Sequence, residues 1–320
     1  MLALRCFRLL FAVVASAPGG EADSRKPEAV LDAHRDNVYW LTLDAPGKRL
    51  LSTSADNTAR VWDRATRQLL LTLDLKSPVY AGAFSPDGRI LATCSGDSRV
   101  ALWNAGTGAP IRSLDGHRAP VYSVAFSADG RYLASGSGEP ENDCILWDVR
   151  TGRLLARGRG HQRPIYGVAF SGSELATSSS DKSLRLWNLP GLDKSRTLAG
   201  HTSDVYRCGF CPGGDLLASV SQDKSVRIWD VTSGNLRFTL TGHRDPVYGM
   251  AFSADGNLLA TAGDDRAIHF WDVRAGKSLE VWKQAHGEAI FALAFAPDGT
   301  LFSAGAEGKI HIWKLRRPSF

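Results

Sequence analysis

The sequence predicts an all-β fold made from seven copies of one four-stranded unit, on three observations. Seven of the nine tryptophans, Trp62, Trp103, Trp147, Trp187, Trp229, Trp271 and Trp313, follow one another at intervals of 41, 44, 40, 42, 42 and 42 residues. An interval of that size marks a repeat architecture and overrides any reading of single segments. The length of 320 residues exceeds what one core usually fills, and seven units of 42 residues account for residues 27–320. Each interval holds short apolar, β-branched and aromatic runs between turn residues, too short for amphipathic helices.

Residues 247–276 show the plan of one unit. The extended run Val247-Tyr248-Gly249-Met250-Ala251-Phe252 ends at the turn Ser253-Ala254-Asp255-Gly256. Leu258 to Ala262 form the second run, and Asp264-Asp265-Arg266 the next turn. Ala267 to Asp272 form the third, followed by Ala275-Gly276 and a fourth. Gly and Asp supply the turn geometry, and the runs between them read as hairpin strands. A sheet of four short strands cannot bury its faces alone, so it must stack on copies of itself.

Composition limits the function classes. With 43% hydrophobic and 22% charged residues, the chain is neither wholly disordered nor collagenous. No apolar run reaches the ~18–20 residues of a membrane-spanning helix. The net charge of +5 arises from 38 basic and 33 acidic residues that are interleaved, so a nucleic-acid partner is not expected.

Two dipeptides recur in phase. Gly-His opens units at His117, His161, His201 and His243, with Ala-His variants at His34 and His286. Trp-Asp closes units at Trp62, Trp147, Trp229 and Trp271, with Trp-Asn at Trp103 and Trp187. On these motifs the chain resembles the WD-repeat family over about nine-tenths of its length. The resemblance implies a seven-bladed β-propeller of four-stranded antiparallel blades. It also implies a hydrogen-bond network in each blade running Trp, Ser or Thr, His, Asp. The hydroxyls fall at Ser52, Thr93, Ser135, Thr177, Ser219, Thr261 and Ser303, and the acids at Asp56, Asp97, Asp181, Asp223 and Asp265. His243, Thr261 and Asp265 look like a hydrolase triad, but an active site is built once and this set recurs, so the network is assigned to stability.

Three blades depart from the pattern. Blade 2 has Leu75-Lys76-Ser77 in place of Gly-His and should lack the network histidine. Blade 3 carries an insertion, Glu139-Pro140-Glu141-Asn142-Asp143, which leaves its network acid ambiguous. Blade 7 has Glu307 for the aspartate and Lys314 after Trp313.

Only seven residues follow Trp313, too few for a turn and a fourth strand. Glu28-Ala29-Val30-Leu31-Asp32 matches the fourth strands of other units, so it is expected to complete the last blade and remove an open sheet edge. Residues 1–22 lie outside the repeat. Arg5 and Arg8 precede the apolar stretch Leu9 to Ala15, and Gly20 and Ala22 stand where a signal peptidase wants small residues. The segment resembles a secretory leader, with 23–26 as a linker, and points to export to a periplasm or outside the cell. The alternatives are an organellar or mistranslated leader, and a cytoplasmic protein. The five cysteines form no disulfide framework, and Cys208 and Cys211 sit along a strand, so small buried side chains are expected rather than redox or metal chemistry.

No phosphate loop, nucleophile elbow or cluster of metal ligands is visible, and neither cofactor nor metal is expected. Tyr39, Tyr80, Tyr122, Tyr166, Tyr206 and Tyr248 occupy one position in blades 1 to 6, with Phe291 in blade 7. In proteins this chain resembles, that position lies at the mouth of the central channel. Two readings stay open: the rings face the opening, or they pack sideways between blades. The first makes the mouth a docking site for a basic, Lys- or Arg-bearing peptide, with Glu139, Glu141 and Asp143 steering charge from the rim. The resemblance implies a non-enzymatic interaction scaffold binding peptides or partner subunits, either as a monomeric ring or within a larger assembly. The competing class is a hydrolase-type enzyme using the channel mouth.

Overall fold

The structure, a computed structural model, describes residues 25–315, and every repeat in it is a four-stranded antiparallel sheet. Blade 1 consists of Val38–Leu43, Arg49–Ser54, Thr58–Asp63 and Leu69–Asp74, paired in sequence order from the inside outward. The inner strands of blades 2 to 7 are Val79–Phe84, Val121–Phe126, Ile165–Ser171, Val205–Phe210, Val247–Phe252 and Ile290–Phe295. Each packs against the inner strands of both neighbours, which closes the ring. The leader and its cleavage point lie outside the described residues.

The second strands are covered on both faces, which is why they read as continuous runs of apolar and small residues rather than alternating ones. Leu258–Gly263, for example, is buried at every position after the first. The core sits between blades rather than within them. Trp229 of blade 5 packs with Ala176, Leu184 and Leu186 of blade 4, and Trp271 of blade 6 with Leu216, Ala218 and Ile228 of blade 5. Burying an aromatic side chain of ~150–250 Å² contributes about 4–6 kcal/mol at ~25 cal/mol per Å². The repeat therefore coheres through these contacts with its neighbours.

The ring closes as a composite blade. Ala29–Asp32 pairs antiparallel with Lys309–Lys314, in the register Ala29 to Ile312 and Asp32 to Lys309. The N–H groups of Ala33 and His34 donate to the Gly308 carbonyl at 3.2 and 2.8 Å. Gly308 has φ +71°, and a Cβ there would stand 2.5 Å from the His34 carbonyl oxygen. Only glycine fits both the conformation and the close approach.

All seven inner strands are bulged at the same place. Register shifts between Val38 and Trp40, Val79 and Ala81, Val121 and Ser123, Ile165 and Gly167, Val205 and Arg207, Val247 and Gly249, and Ile290 and Ala292. The residue passed over is in each case the tyrosine or its Phe291 counterpart. A bulge leaves one residue unpaired and re-aims its side chain, so the backbone gives these seven rings one common direction.

Candidate interaction site

Hydrogen-bond networks in the blades pin the loops that carry the face. In blade 5 the Trp229 indole N–H donates to Ser219 Oγ at 2.9 Å, Ser219 lies 2.8 Å from His201 Nε2, and His201 Nδ1 lies 2.8 Å from Asp223. An ionised carboxylate only accepts, so Nδ1 carries the imidazole proton and Nε2 accepts from the serine hydroxyl. The Thr202 backbone N–H also donates to Asp223, at 3.0 Å, which pins the loop after the histidine. Blades 1, 4 and 6 repeat this with His34, Ser52, Asp56 and Trp62; His161, Thr177, Asp181 and Trp187; and His243, Thr261, Asp265 and Trp271. Burial works against ionisation of Asp56, Asp181 and Asp223, but hydrogen bonds from the histidine and a nearby hydroxyl outweigh it and hold all three well below the ordinary carboxylate range. Burial likewise depresses His34, His161 and His201.

In blade 2 the Trp103 indole reaches Thr93 at 2.9 Å, and Asp97 turns to Ser95 at 2.5 Å in place of a histidine. In blade 7 His286 binds Ser303 at 2.6 Å and Glu307. In blade 3 Trp147 and His117 meet at Ser135, and Glu141 takes the place of the network acid, 3.2 Å from His117 Nδ1 and 2.9 Å from the Arg118 N–H. Glu141 also pairs with Arg157 and is held at about 2; burial opposes this, and the His117 and Arg118 hydrogen bonds override it.

This corrects the expected acidic rim. Glu139, Glu141 and Asp143 do not project together. Glu141 is consumed by the network, and Asp143 is buried, 3.4 Å from Arg157 and 3.5 Å from Arg159. Only Glu139 is exposed. The insertion gave the loop enough length for a glutamate to reach inward, and the buried histidine needed a carboxylate more than solvent did.

Among the described residues, clustered potential metal ligands, not visible in the sequence, are brought together twice. His243, Asp265 and His269, and His286, Glu307 and His311, each have their ligand atoms within 4.8 Å. The histidines of each cluster lie face against face, with ring centroids 3.8 Å apart and interplanar angles of 37° and 13°. A metal ion must lie in the plane of each imidazole it takes, and stacked rings share no such point. His243 and His286 also have both nitrogens engaged in their networks. The two triplets therefore do not fit a metal. They are blades in which His269 and His311 hold the position of Arg60, Arg185 and Arg227 elsewhere.

The aromatic positions form a closed circle around the propeller axis. Centroids are 5.6 Å apart from Tyr39 to Tyr80, 5.0 to Tyr122, 5.3 to Tyr166, 5.7 to Tyr206, 5.0 to Tyr248, 5.5 to Phe291, and 6.1 Å back to Tyr39. Each ring packs on the ring of the next blade. Tyr80, Tyr122, Tyr248 and Phe291 are buried, whereas Tyr39, Tyr166 and Tyr206 are half-buried.

Two residues missed in the sequence lie next to this circle. Arg207 reaches from blade 5 across the channel to blade 1, donates to the Tyr39 carbonyl, and places its guanidinium 4.1 Å from the centroid of the Trp40 ring. Desolvation lowers Arg207 to about 9, and no carboxylate pairs with it among the described residues. At the equivalent position the other blades carry Ala81, Ser123, Gly167, Gly249 and Ala292. Two large side chains in a column of small ones were the signal.

A profile described as WD domain, G-beta repeat matches residues 25–63, 67–104, 108–148, 152–188, 192–230, 234–272 and 276–314. The chain belongs to the WD40 repeat family. Its relatives include a nuclear distribution protein PAC1 of Ajellomyces capsulatus, 37% identical over 58% of this chain and 42% of that protein. A protein transport protein SEC13 of Mycosarcoma maydis is 34% identical over 31% of this chain and 29% of its own length. A target of rapamycin complex subunit wat1 of Schizosaccharomyces pombe is 31% identical over 26% of each. The chain thus spans less than half the length of these relatives. The Trp, hydroxyl, His and acid sets are used up within their blades. Thr261, for example, is fully buried between the Trp271 indole and His243, where no acyl group could reach it.

Proposed function

We propose that this WD40 propeller is a non-enzymatic scaffold that holds a segment of a partner protein against the face bearing the tyrosine circle. The observation that supports it is the circle itself, seven aromatic side chains turned the same way by seven bulges. Aromatic rings offer large contact area at low entropic cost. The half-buried pair Tyr166 and Tyr206, 5.7 Å apart, marks the sector over blades 4 and 5 as the centre of contact. The names of two relatives, a protein transport protein and a complex subunit, suit a role in assemblies. A basic partner segment also suits the adjoining blade 6, where Asp245 and Asp264 act on Tyr248 of the circle. These acids take the steering role that the blade 3 acids cannot fill.

The test is affinity capture of the full chain from its native source, followed by mass spectrometry. The Tyr166→Ala, Tyr206→Ala double variant should lose its partner at least tenfold while melting as a folded protein, since buried aromatic anchors carry ~2 kcal/mol or more each at an interface. Retention of every partner by that folded variant would remove the proposal.

A further inference from the structure

The outcome of that docking depends on which charge the face selects, and blade 6 holds the relevant groups. In all seven blades one backbone N–H in the turn before the third strand donates to a carbonyl of the loop preceding the inner strand. The donors are Ala55, Gly96, Gly138, Ser180, Gln222, Asp264 and Ala306. Asp264 is the only carboxylate among them, and it donates to Pro246 at 2.9 Å. The residue before each accepting one is Asp36, Ser77, Ala119, Arg163, Ser203, Asp245 or Glu288. Blade 6 alone has an acid at both places. The two segments are pressed together: a Cβ on Gly263 would stand 1.9 Å from the Pro246 oxygen.

Two carboxylates and a phenol hydroxyl thus stand on adjoining segments with few donors. Among the described residues the Asp264 carboxylate has no hydrogen bond or ion pair, and Asp245 has only Lys224 at 3.7 Å, both of them about half exposed. Burial, then repulsion from Asp245 and Asp265, raises the Asp264 pKa. Tyr248, two residues after Pro246, is 8% exposed, and its hydroxyl has no hydrogen-bond partner among the described residues. Both carboxylates act on that hydroxyl and push its pKa up further, beyond the effect of burial. Arg207 sits in the channel without a counter-ion, so a second cation is repelled from the axis and directed to the rim.

We propose that Asp245, Asp264 and the Tyr248 hydroxyl form a subsite for a single cationic side chain, arginine or lysine, of the docked segment. This rests on the docking face proposed above. A guanidinium or ammonium has donors only, so it can serve both carboxylates at once, above the buried and unpartnered Tyr248 hydroxyl, and neutralise a pair of like charges on segments that the fold presses together. Arginine, with five donors in a plane, suits two spread carboxylates better than lysine.

The probes are pentapeptides, acetyl-Gly-Gly-X-Gly-Gly-amide, with X arginine, lysine, citrulline or glutamate, titrated calorimetrically into the full chain. The arginine and lysine peptides should bind saturably and compete. The citrulline peptide keeps the shape without the charge and should bind at least tenfold more weakly, and the glutamate peptide should not bind. Asp264→Asn should weaken the arginine peptide at least tenfold while melting at or above the wild-type temperature, because it removes a repulsion. Tyr248→Phe keeps the ring and should weaken it several-fold. Equal binding of citrulline and arginine, or arginine binding untouched in Asp264→Asn, overturns the subsite. If a captured partner depends on Tyr166 and Tyr206 but ignores Asp264→Asn, the docking face stands and the subsite falls. If the arginine peptide depends on Asp264 while the tyrosine variant keeps its partners, the docking face falls and the cation site stands.

Discussion

Arg207 of blade 5 crosses the central channel to lie on the indole of Trp40 in blade 1, 4.1 Å from the ring centroid. The contact joins blades that are not neighbours in the ring. It sets a half-buried charge with no carboxylate partner among the described residues against a cation–π attraction of ~0.5–2 kcal/mol and one hydrogen bond to a carbonyl.

Because the charge is costly and the stacking specific, the two obvious replacements should diverge. Arg207→Lys should destabilise by about 1–2 kcal/mol, since an ammonium is more strongly hydrated and cannot stack flat while donating to Tyr39. Arg207→Met should stay within about 1 kcal/mol of wild type. Urea denaturation measures both, and a lysine variant as stable as the parent would mean that the guanidinium plane is irrelevant.

Trp229→Ala should destabilise by ~3–5 kcal/mol, because it empties a site between blades 4 and 5 and strands Ser219 and His201. The indole is 1% exposed. A loss below ~1 kcal/mol in denaturant titration would contradict its place in the core.

Acid should weaken the fold beginning near pH 6.5. Burial first, and then the neighbouring network histidine, lowers His269 and His311 to about 4. Between their ordinary value and that one the unfolded chain binds more protons, so stability falls as pH falls and levels off near 4. Each histidine contributes on the order of 1–3 kcal/mol to that slope. The depressed Asp56, Asp181 and Asp223 act in the same direction at lower pH. His269→Arg and His311→Arg install the residue of blades 1, 4 and 5, where Arg60 and Arg185 donate to the loop carbonyls of Ala33 and Gly160. The double variant should show a flatter dependence between pH 6.5 and 4 in melts monitored by circular dichroism, and an unchanged slope would exclude these two groups as its source.

Deleting residues 26–32 should open the ring. The third strand of blade 7, Lys309–Lys314, would become an unprotected edge and lose four paired residues. At ~0.5–1.5 kcal/mol per hydrogen bond the melting temperature should drop by roughly 10 °C, with new self-association. Sedimentation and calorimetry check this, and an unaltered melt would mean that blade 7 is complete without that strand.

The architecture was legible because tryptophan answers a local demand that recurs in every blade, and glycine and histidine one that recurs in most of them. Even the closing strand could be found by matching Glu28 to Asp32 against other fourth strands. What escaped was set by neighbours distant in sequence. Glu141 looked like a rim charge until a buried His117 claimed it. His269 and His311 are ordinary strand residues until they stack on His243 and His286. Trp40 and Arg207 lie 167 positions apart, and only ring closure makes them partners.

The composite seventh blade also fixes how the molecule answers mechanical load. Glu28 and Lys314 stand side by side, 3.3 Å apart, at one end of the antiparallel pair. Tension applied across them would part the rungs one after another, as a zip opens, rather than shear them all together. A tether fixed to both flanks of the ring would therefore release at low force, while the same load across a turn between two internal blades would meet the whole stacked core.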